Sequence, residues 1–232
     1  MQEHSAGADS NRARIIAAAT RLLADGGREA LSTRAVSAAA GLQAPTIYRI
    51  FGDKQGLLDA VAADGFAAHL KAKSHVQPSG DPVEDLRAGW ALNIDFALAN
   101  PALYCLMYGD PRPGAASPAA AAAFEHLTSY VHRIAESGRL RVPEDRAARL
   151  IHAAGSGTAL ALIATPEDER DLTVSELARE AVIAAVTTET PTGAAPGPAG
   201  AAVALRAVLP RTSALSPGER GLMKEWLDRI AD

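Results

Sequence analysis

The sequence predicts an all-α protein in which a small three-helix head precedes a larger helical body. Three observations lead there. Hydrophobic residues make up 48% of the 232-residue chain but aromatics only 4%. Alanine and the aliphatics therefore carry the core, and alanine is the strongest intrinsic helix former. Apolar positions recur at helical spacing between stretches of Gly, Pro and Ser. Residues 32–51 read as short helix, glycine, short helix. The length suffices for one large domain or two modest ones, each with a real core.

Taken in order, the first nine residues are polar and are expected to fray. From Ser10 a helix is written by Ile15, Ala19, Leu22 and Leu23, and Gly26-Gly27 ends it. Ser32 is a good N-cap for a second helix through Ala40, which Gly41 terminates. A third runs from near Gln43 to Phe51, with Pro45 tolerated because first-turn amides have no intrahelical acceptor. Gly52 breaks the chain, and Asp53 caps a fourth helix carrying Leu57, Leu58, Val61, Phe66 and Leu70. Residues 74–82, SHVQPSGDP, are the expected domain joint. Asp81, Pro82 and Glu84 then open a helix to about Ala99, and a shorter one covers 101–108. After the loop GDPRPGAAS, Ser117-Pro118 starts a helix that Gly138 ends. Two long helices follow at roughly 143–164 and 174–188, with Thr173 and Glu176 expected as a capping box for the second. The Pro/Gly/Ala stretch 191–202 reads as a linker without helix. Beyond it lies 203–209, then a Ser216/Glu219 capping box opening an amphipathic helix with Leu222, Met223, Trp226, Leu227 and Ile230 on one face.

The net charge is −4, which argues against a uniformly basic nucleic-acid binder. Yet residues 10–54 hold Arg12, Arg14, Arg21, Arg28, Arg34, Arg49 and Lys54 against only Asp25, Glu29 and Asp53. A basic head on an acidic body suits phosphate binding at one end. The single cysteine, Cys105, excludes an intramolecular disulfide framework and a thiolate-rich zinc site. None of the six histidines lies three or four residues from another, so no metal is expected. The N-terminus lacks the basic and apolar regions of a signal peptide, and the longest apolar stretch, 150–166, is too short and polar for a membrane span. A soluble, cytoplasmic protein without cofactors is expected.

The segment 32–51 carries the functional signal. In a helix-turn-helix the first helix crosses the DNA backbone and the second lies in the major groove. Gly41 sits where the turn needs positive φ. Val36, Ala39, Leu42, Ile47 and Phe51 are expected to close a small core on Ile15, Ala19 and Leu22. That leaves Gln43, Ala44, Thr46, Tyr48 and Arg49 facing outward, with donors for base edges and phosphates. The wording AAAGLQAPTIYRIFGDKQGLLDAV closely resembles the recognition region of TetR-family repressors, through Ala40-Gly41-Leu42, Pro45-Thr46-Ile47-Tyr48, Phe51, Asp53-Lys54 and Leu57-Leu58. The preceding LLADGG and LSTRAVSAAAG match the same family, so the resemblance spans roughly 13–61.

The resemblance implies roles for individual residues. Ser32 and Thr33 meet a phosphate at the start of the second helix. Gln43, Ala44 and Pro45 face base edges, where Gln pairs bidentately with adenine and Ala and Pro contact a thymine methyl. Thr46 and Tyr48 give hydroxyls to phosphate oxygens, Arg49 reaches either, and Lys54 meets the backbone. Gln43 stands where many members carry Ser, and Ile50 where His is frequent. The resemblance further implies a C-terminal domain that pairs two copies through its last two long helices and encloses a ligand.

The sequence bears on both points. Leu150, Ile151, Ala154, Thr158 and Leu162, with Leu177, Ala181, Val182 and Ala185, form stripes thick with small residues. They suit a four-helix dimer interface and would equally suit an internal core. For the pocket, Trp90, Phe96, Tyr104, Met107, Tyr108, Phe124 and Tyr130 fall on three helices, with Asn93, His126 and Thr158 as polar fixing points and Cys105 as a further one. Such a lining suits a lipophilic or aromatic effector, though each residue also suits plain core.

The expected organisation is thus a helix-turn-helix domain at 10–54, a linking helix at 53–73 and an effector and dimerisation domain at 81–188. A linker at 189–202 and a helical extension at 203–232 follow. The expected partners are double-stranded operator DNA, a small-molecule effector and a second copy, with no membrane. An enzyme is disfavoured because no GxSxG, Walker A, HExxH or Rossmann glycine pattern occurs. The rival reading is a helical adaptor docking a partner through the Trp226 helix.

Overall fold

The computed structural model describes residues 2–73, 79–110, 114, 117–188 and 197–231. Among them are eleven α-helices: α1 (Gln2–Gly26), α2 (Thr33–Ala40), α3 (Ala44–Phe51), α4 (Lys54–Lys73), α5 (Pro82–Ala99) and α6 (Pro101–Tyr108), then α7 (Pro118–Glu136), α8 (Glu144–Ala164), α9 (Thr173–Val186), α10 (Pro198–Val208) and α11 (Pro217–Ala231). Packing divides the chain into two units, residues 1–76 with 96–122, and residues 77–95 with 123–232. Both α5 and α7 contribute residues to each.

In the first unit Ile15, Ile16, Ala19 and Leu23 of α1 are buried, as are Val36 of α2, Ile47 of α3 and Leu57, Leu58 and Val61 of α4. Helices as short as α2 and α3 are marginal alone, so this shared core holds them. Gly65 of α4 lets α6 approach closely, since a Cβ there would lie 2.5 Å from Leu103 Cδ2. Around that contact His69 stacks on Phe96 at 4.4 Å between ring centroids, and Tyr104 lies 4.7 Å from Tyr108. Burial, and then the neighbouring Tyr104, push the Tyr108 phenol well above its ordinary range.

In the second unit the start of α5 is held by charge. Asp81 caps the helix by accepting from the Val83 amide at 2.8 Å, and it pairs with Arg139 at 2.7 Å. Asp85 is buried and accepts from the Ser79 amide at 2.7 Å and Arg133 at 2.6 Å. These partners, the Ser79 amide foremost, hold its carboxyl below the usual range against the cost of burial. Arg87 presents a fork to Glu180 of α9, with its Nε 3.1 Å and Nη2 2.8 Å from Oε2. Trp90 donates from Nε1 to the buried Ser175 at 2.9 Å. Gly155 of α8 leaves room for that indole, since a Cβ would sit 3.4 Å from Cζ3. The strand-like pairing of Leu140 with Thr187 is a single bridge.

Several elements differ from the sequence expectation. The first helix begins at Gln2, ahead of Ser10, because no proline interrupts the polar lead-in. A 3-10 turn, Arg28–Ala30, separates α1 from α2. Ala40 is buried where Ala39 was expected in the core, and Ala39 is exposed. Thr173 does not cap α9. It is the first helical residue, and its amide donates to Asp171 Oδ1 at 2.9 Å, a carboxylate reaching the helix start first. That helix ends at Val186 because Thr187 is extended and bridges Leu140. A helix starts at Pro198, inside the stretch read as linker, since proline at a helix start followed by alanines is compatible with helix. Residues 189–196 of that linker, residues 74–78 of the expected joint, and residues 111–113, 115 and 116 of the GDPRPGAAS loop lie outside the described residues. On α11 the expected apolar face splits, with Leu227 buried and Leu222, Trp226 and Ile230 exposed. Among the described helices, α8 is long and apolar enough by composition to cross a membrane. Its buried Ala147, Ala148, Ile151, Gly155 and Leu162 place one face in the unit's core instead.

Two outcomes test this packing. Ser175→Ala strands the indole N–H of Trp90 and is expected to cost about 1–3 kcal/mol. Adding Trp90→Phe should then destabilise less than the sum of the two changes, and strict additivity in urea unfolding would refute the bond. The second outcome concerns pH. Burial lowers the pKa of His152, and partial desolvation of the imidazole followed by the Arg133 charge lowers that of His126, although that residue stays exposed. The unfolded chain therefore binds more protons between the ordinary value of 6.5 and the depressed folded values. Stability falls as pH drops from 6.5 through that interval. Exchanging both histidines for Gln should flatten the fall between neutral pH and about pH 5, above the range where carboxylates respond.

Candidate nucleic-acid interface

The head presents its polar side chains by local rules. Ser32, in extended conformation, accepts the Ala35 amide at 3.1 Å and caps α2, which puts Thr33 and Arg34 in its first turn. At the other end the Leu42 amide reaches back to the Ser37 carbonyl at 3.1 Å, and the Gly41 amide to Ala38 at 3.2 Å. This closure requires the left-handed conformation, and Gly41 has φ 62°. The chain then enters α3 through Gln43, which is extended and makes no side-chain cap bond. Pro45 occupies the first turn, where a missing amide hydrogen costs nothing.

α3 is only eight residues long and buries Ile47 alone. Its other side is open: Gln43, Pro45, Tyr48 and Arg49 are exposed, with Ala44 and Thr46 half-buried beside them. Tyr48 keeps half of its surface in solvent, unusual for an aromatic with no role in the core. Gly52 has φ 80°, and Asp53 restarts the chain as α4 by accepting the Gly56 amide at 2.7 Å. Lys54, the first residue of α4, is exposed.

All nine residues expected at DNA therefore lie in one unit: Ser32, Thr33, Gln43, Ala44, Pro45, Thr46, Tyr48 and Arg49 on α2, α3 or the residues that cap them, and Lys54 at the start of α4. Each has some access to solvent. Arg34 is likewise exposed on the first turn of α2; the sequence counts it among the bases of the head without placing it at a contact. Of the other bases, Arg28 pairs with Asp110 at 2.9 Å.

The residues expected around an effector fall into two groups. Phe96, Tyr104, Met107 and Tyr108 lie in the first unit; the first three are buried, and Tyr108 is half-buried. Trp90, Asn93, Phe124, His126, Tyr130 and Thr158 lie in the second. There His126 meets the Tyr130 ring edge-on at 5.0 Å, Phe124 meets His152 at 5.4 Å, and Arg133 covers Tyr130. Trp90 is buried and His126 exposed. Cys105 is half-buried. Among the described residues no group of three or more His, Cys, Asp or Glu is placed to hold a metal ion.

Residues 15–61 match the model of the bacterial regulatory proteins of the tetR family. No curated protein sequence matches the chain significantly. Among solved structures, the chain is similar to a candidate tetR family transcription regulator from Shewanella sp. PV-4, at 18% identity and a TM-score of 0.60, covering 77% of this chain and 99% of that one. It is similar to a protein of unknown function from Rhodococcus sp. RHA1, at 26% identity and a TM-score of 0.61, covering 77% and 96%. It is also similar to a substituted TetR from Acinetobacter baumannii AYE solved with minocycline, at 21% identity and a TM-score of 0.55, covering 73% and 90%.

Proposed function

We propose that the chain is a transcriptional regulator of the TetR family, a repressor that grips a pseudo-palindromic operator as a homodimer and lets go when a small lipophilic or aromatic molecule binds; the match of residues 15–61 to the family model supports the family part of this reading. The observation that carries the reading is the open face of α3. A helix that buries one residue and offers Gln43, Thr46, Tyr48 and Arg49 outward is built to be read from outside. Gln43 selects bases, while Ser32, Thr33, Thr46, Tyr48 and Lys54 hold phosphates, Arg49 serves either, and Ala44 and Pro45 supply apolar contact. Residues 10–54 form the reading head under this proposal, and residues 81–188 the effector and pairing region.

Pairing is supported by the far side of α8 and α9. Leu150 of α8 is exposed, as are Val174, Leu177, Ala181 and Ala185 of α9, with Leu177 retaining 67% of its accessible surface. Gly157 and Ala161 on the same helix pair are small enough to let a second copy approach closely. A two-fold dimer places two heads about one DNA turn apart, as successive major grooves require. A small-molecule effector is compatible with the minocycline complex of the Acinetobacter protein. A ligand that favours the form with poor head spacing lowers operator affinity by its own coupling free energy. Operator binding would place the protein in the cytoplasm. A second reading, docking of a partner protein through α11, is favoured by the exposure of Leu222, Trp226 and Ile230.

Gel retardation of the duplex that the chain selects from a randomised pool tests the reading. Tyr48→Ala and Lys54→Ala should weaken binding to every duplex, with Lys54→Ala reducing the salt slope by about one. Gln43→Ala should change which sequence is preferred. Leu150→Glu with Leu177→Glu should yield monomers by sedimentation and abolish tight retardation. A chain that retards no duplex at moderate salt has lost the DNA reading and leaves the docking one.

A further inference from the structure

Resting on the reading that the head binds DNA, we propose that Arg14 is a positioning residue of the helix-turn-helix, closing the end of α2 so that the turn aims α3, and does not serve as one of the phosphate contacts. Its charge and place in the basic head make a phosphate role the obvious assignment. The geometry points elsewhere.

A helix ends with carbonyls that have no amide partner within it. At the end of α2 the backbone itself satisfies Ser37 and Ala38, through the amides of Leu42 and Gly41. Ala40, the last helical residue, accepts instead from Arg14 Nη2 at 2.8 Å, across 26 positions of sequence. A guanidinium there also complements the partial negative charge at a helix C-terminus. The backbone at Arg14 is anchored, because the next two residues, Ile15 and Ile16, are buried in the core of the head, while the Arg14 side chain reaches its partner from an exposed position. The guanidinium and the turn glycine occupy adjoining space. A Cβ on Gly41 would stand 3.4 Å from Arg14 Nη2.

A second link from α1 reaches the other helix. The Arg12 guanidinium carbon lies 5.8 Å from the centre of the Phe51 ring at the end of α3. Neighbouring arginines of α1 thus hold α2 and α3 at their C-terminal ends. Base readout depends on α3 to a fraction of an ångström, whereas phosphate attraction tolerates small shifts. Loosening the end of α2 should therefore lose discrimination before it loses general affinity.

The test compares the full-length chain with Arg14→Ala and Arg14→Lys, using Lys54→Ala as the phosphate-contact control. Affinities for the duplex selected by the unaltered chain and for random duplex are measured across salt concentrations. Arg14→Ala is expected to cut the selected-to-random affinity ratio by about tenfold, the scale of one lost base contact, with random-duplex affinity and salt slope unchanged. Arg14→Lys, which keeps the charge but not the fork, should fall between. Two results overturn the proposal: a parallel loss on both duplexes with the slope reduced as in Lys54→Ala, or an unchanged ratio in Arg14→Ala. Should Arg14→Ala fail to fold by circular dichroism, Arg14→Lys decides, since a phosphate contact predicts an unaltered ratio for it and positioning predicts a fall. If the unaltered chain selects no duplex, the DNA reading has failed, and this assignment falls with it.

Discussion

The structure of the head depends on satisfying backbone groups at the ends of two very short helices. Eight residues give α2 and α3 barely two turns each. In helices that short, unpaired end groups rival the internal hydrogen bonds in number. Ser32 at one end of α2, the reverse bonds of Gly41 and Leu42 with the Arg14 guanidinium at the other, and the Gly52 amide reaching back to the Tyr48 carbonyl at the end of α3 meet that demand. Gly41 is indispensable to the arrangement because its φ of 62° is costly for any side chain larger than hydrogen. With the ends fixed, a single buried isoleucine anchors α3, and the rest of its surface is free for recognition.

That economy explains how α3 can leave most of its surface facing outward without losing its place in the head. A helix that spent Tyr48 or Thr46 on its own core would have less left to present. Because α1 and α4 supply the large buried side chains, α3 contributes Ile47 and otherwise faces outward. Among the basic residues, Arg12, Arg14 and Arg28 have partners in Phe51, Ala40 and Asp110, and they stay exposed, as Arg49 and Lys54 do.

What was legible in the sequence was what depends on neighbours a few residues away. Caps at Ser32, Asp53, Asp81, Ser117 and Ser216 all appear as bonds, down to the reciprocal pair between Ser216 and Glu219. The stop at Gly41 was equally local. Failures came where two signals competed or a distant partner decided. Thr173 looked like a cap, but it begins the helix and its own amide donates to Asp171. Ala39 and Ala40 are chemically identical, and a rotation of about 100° per residue, not composition, sends one outward. The 191–202 stretch was read by its Pro and Gly, although Pro198 opens a helix as readily as it breaks one. For the candidate site, outward positions on α3 followed from helical period, but the engagement of Arg14 with a carbonyl 26 residues on had no sequence signature.

The second unit shows how an alanine-rich chain keeps specificity without many large side chains. Small residues let helices approach but fit many registers equally well, so they fix little by themselves. The registers there are marked by directional contacts: the indole of Trp90 on Ser175, the fork of Arg87 on Glu180, and Asp85 between Ser79 and Arg133. Both the Trp90 and Arg87 contacts join α5 to α9, the helix whose other side carries exposed Leu177 and Ala181. The buried side of α9 is thus held in register by polar bonds, and its small apolar residues remain on the surface where a second copy is proposed to pack. Ile183 and Val186 add apolar burial to that side of α9, so the polar bonds choose the register that the apolar contacts then hold.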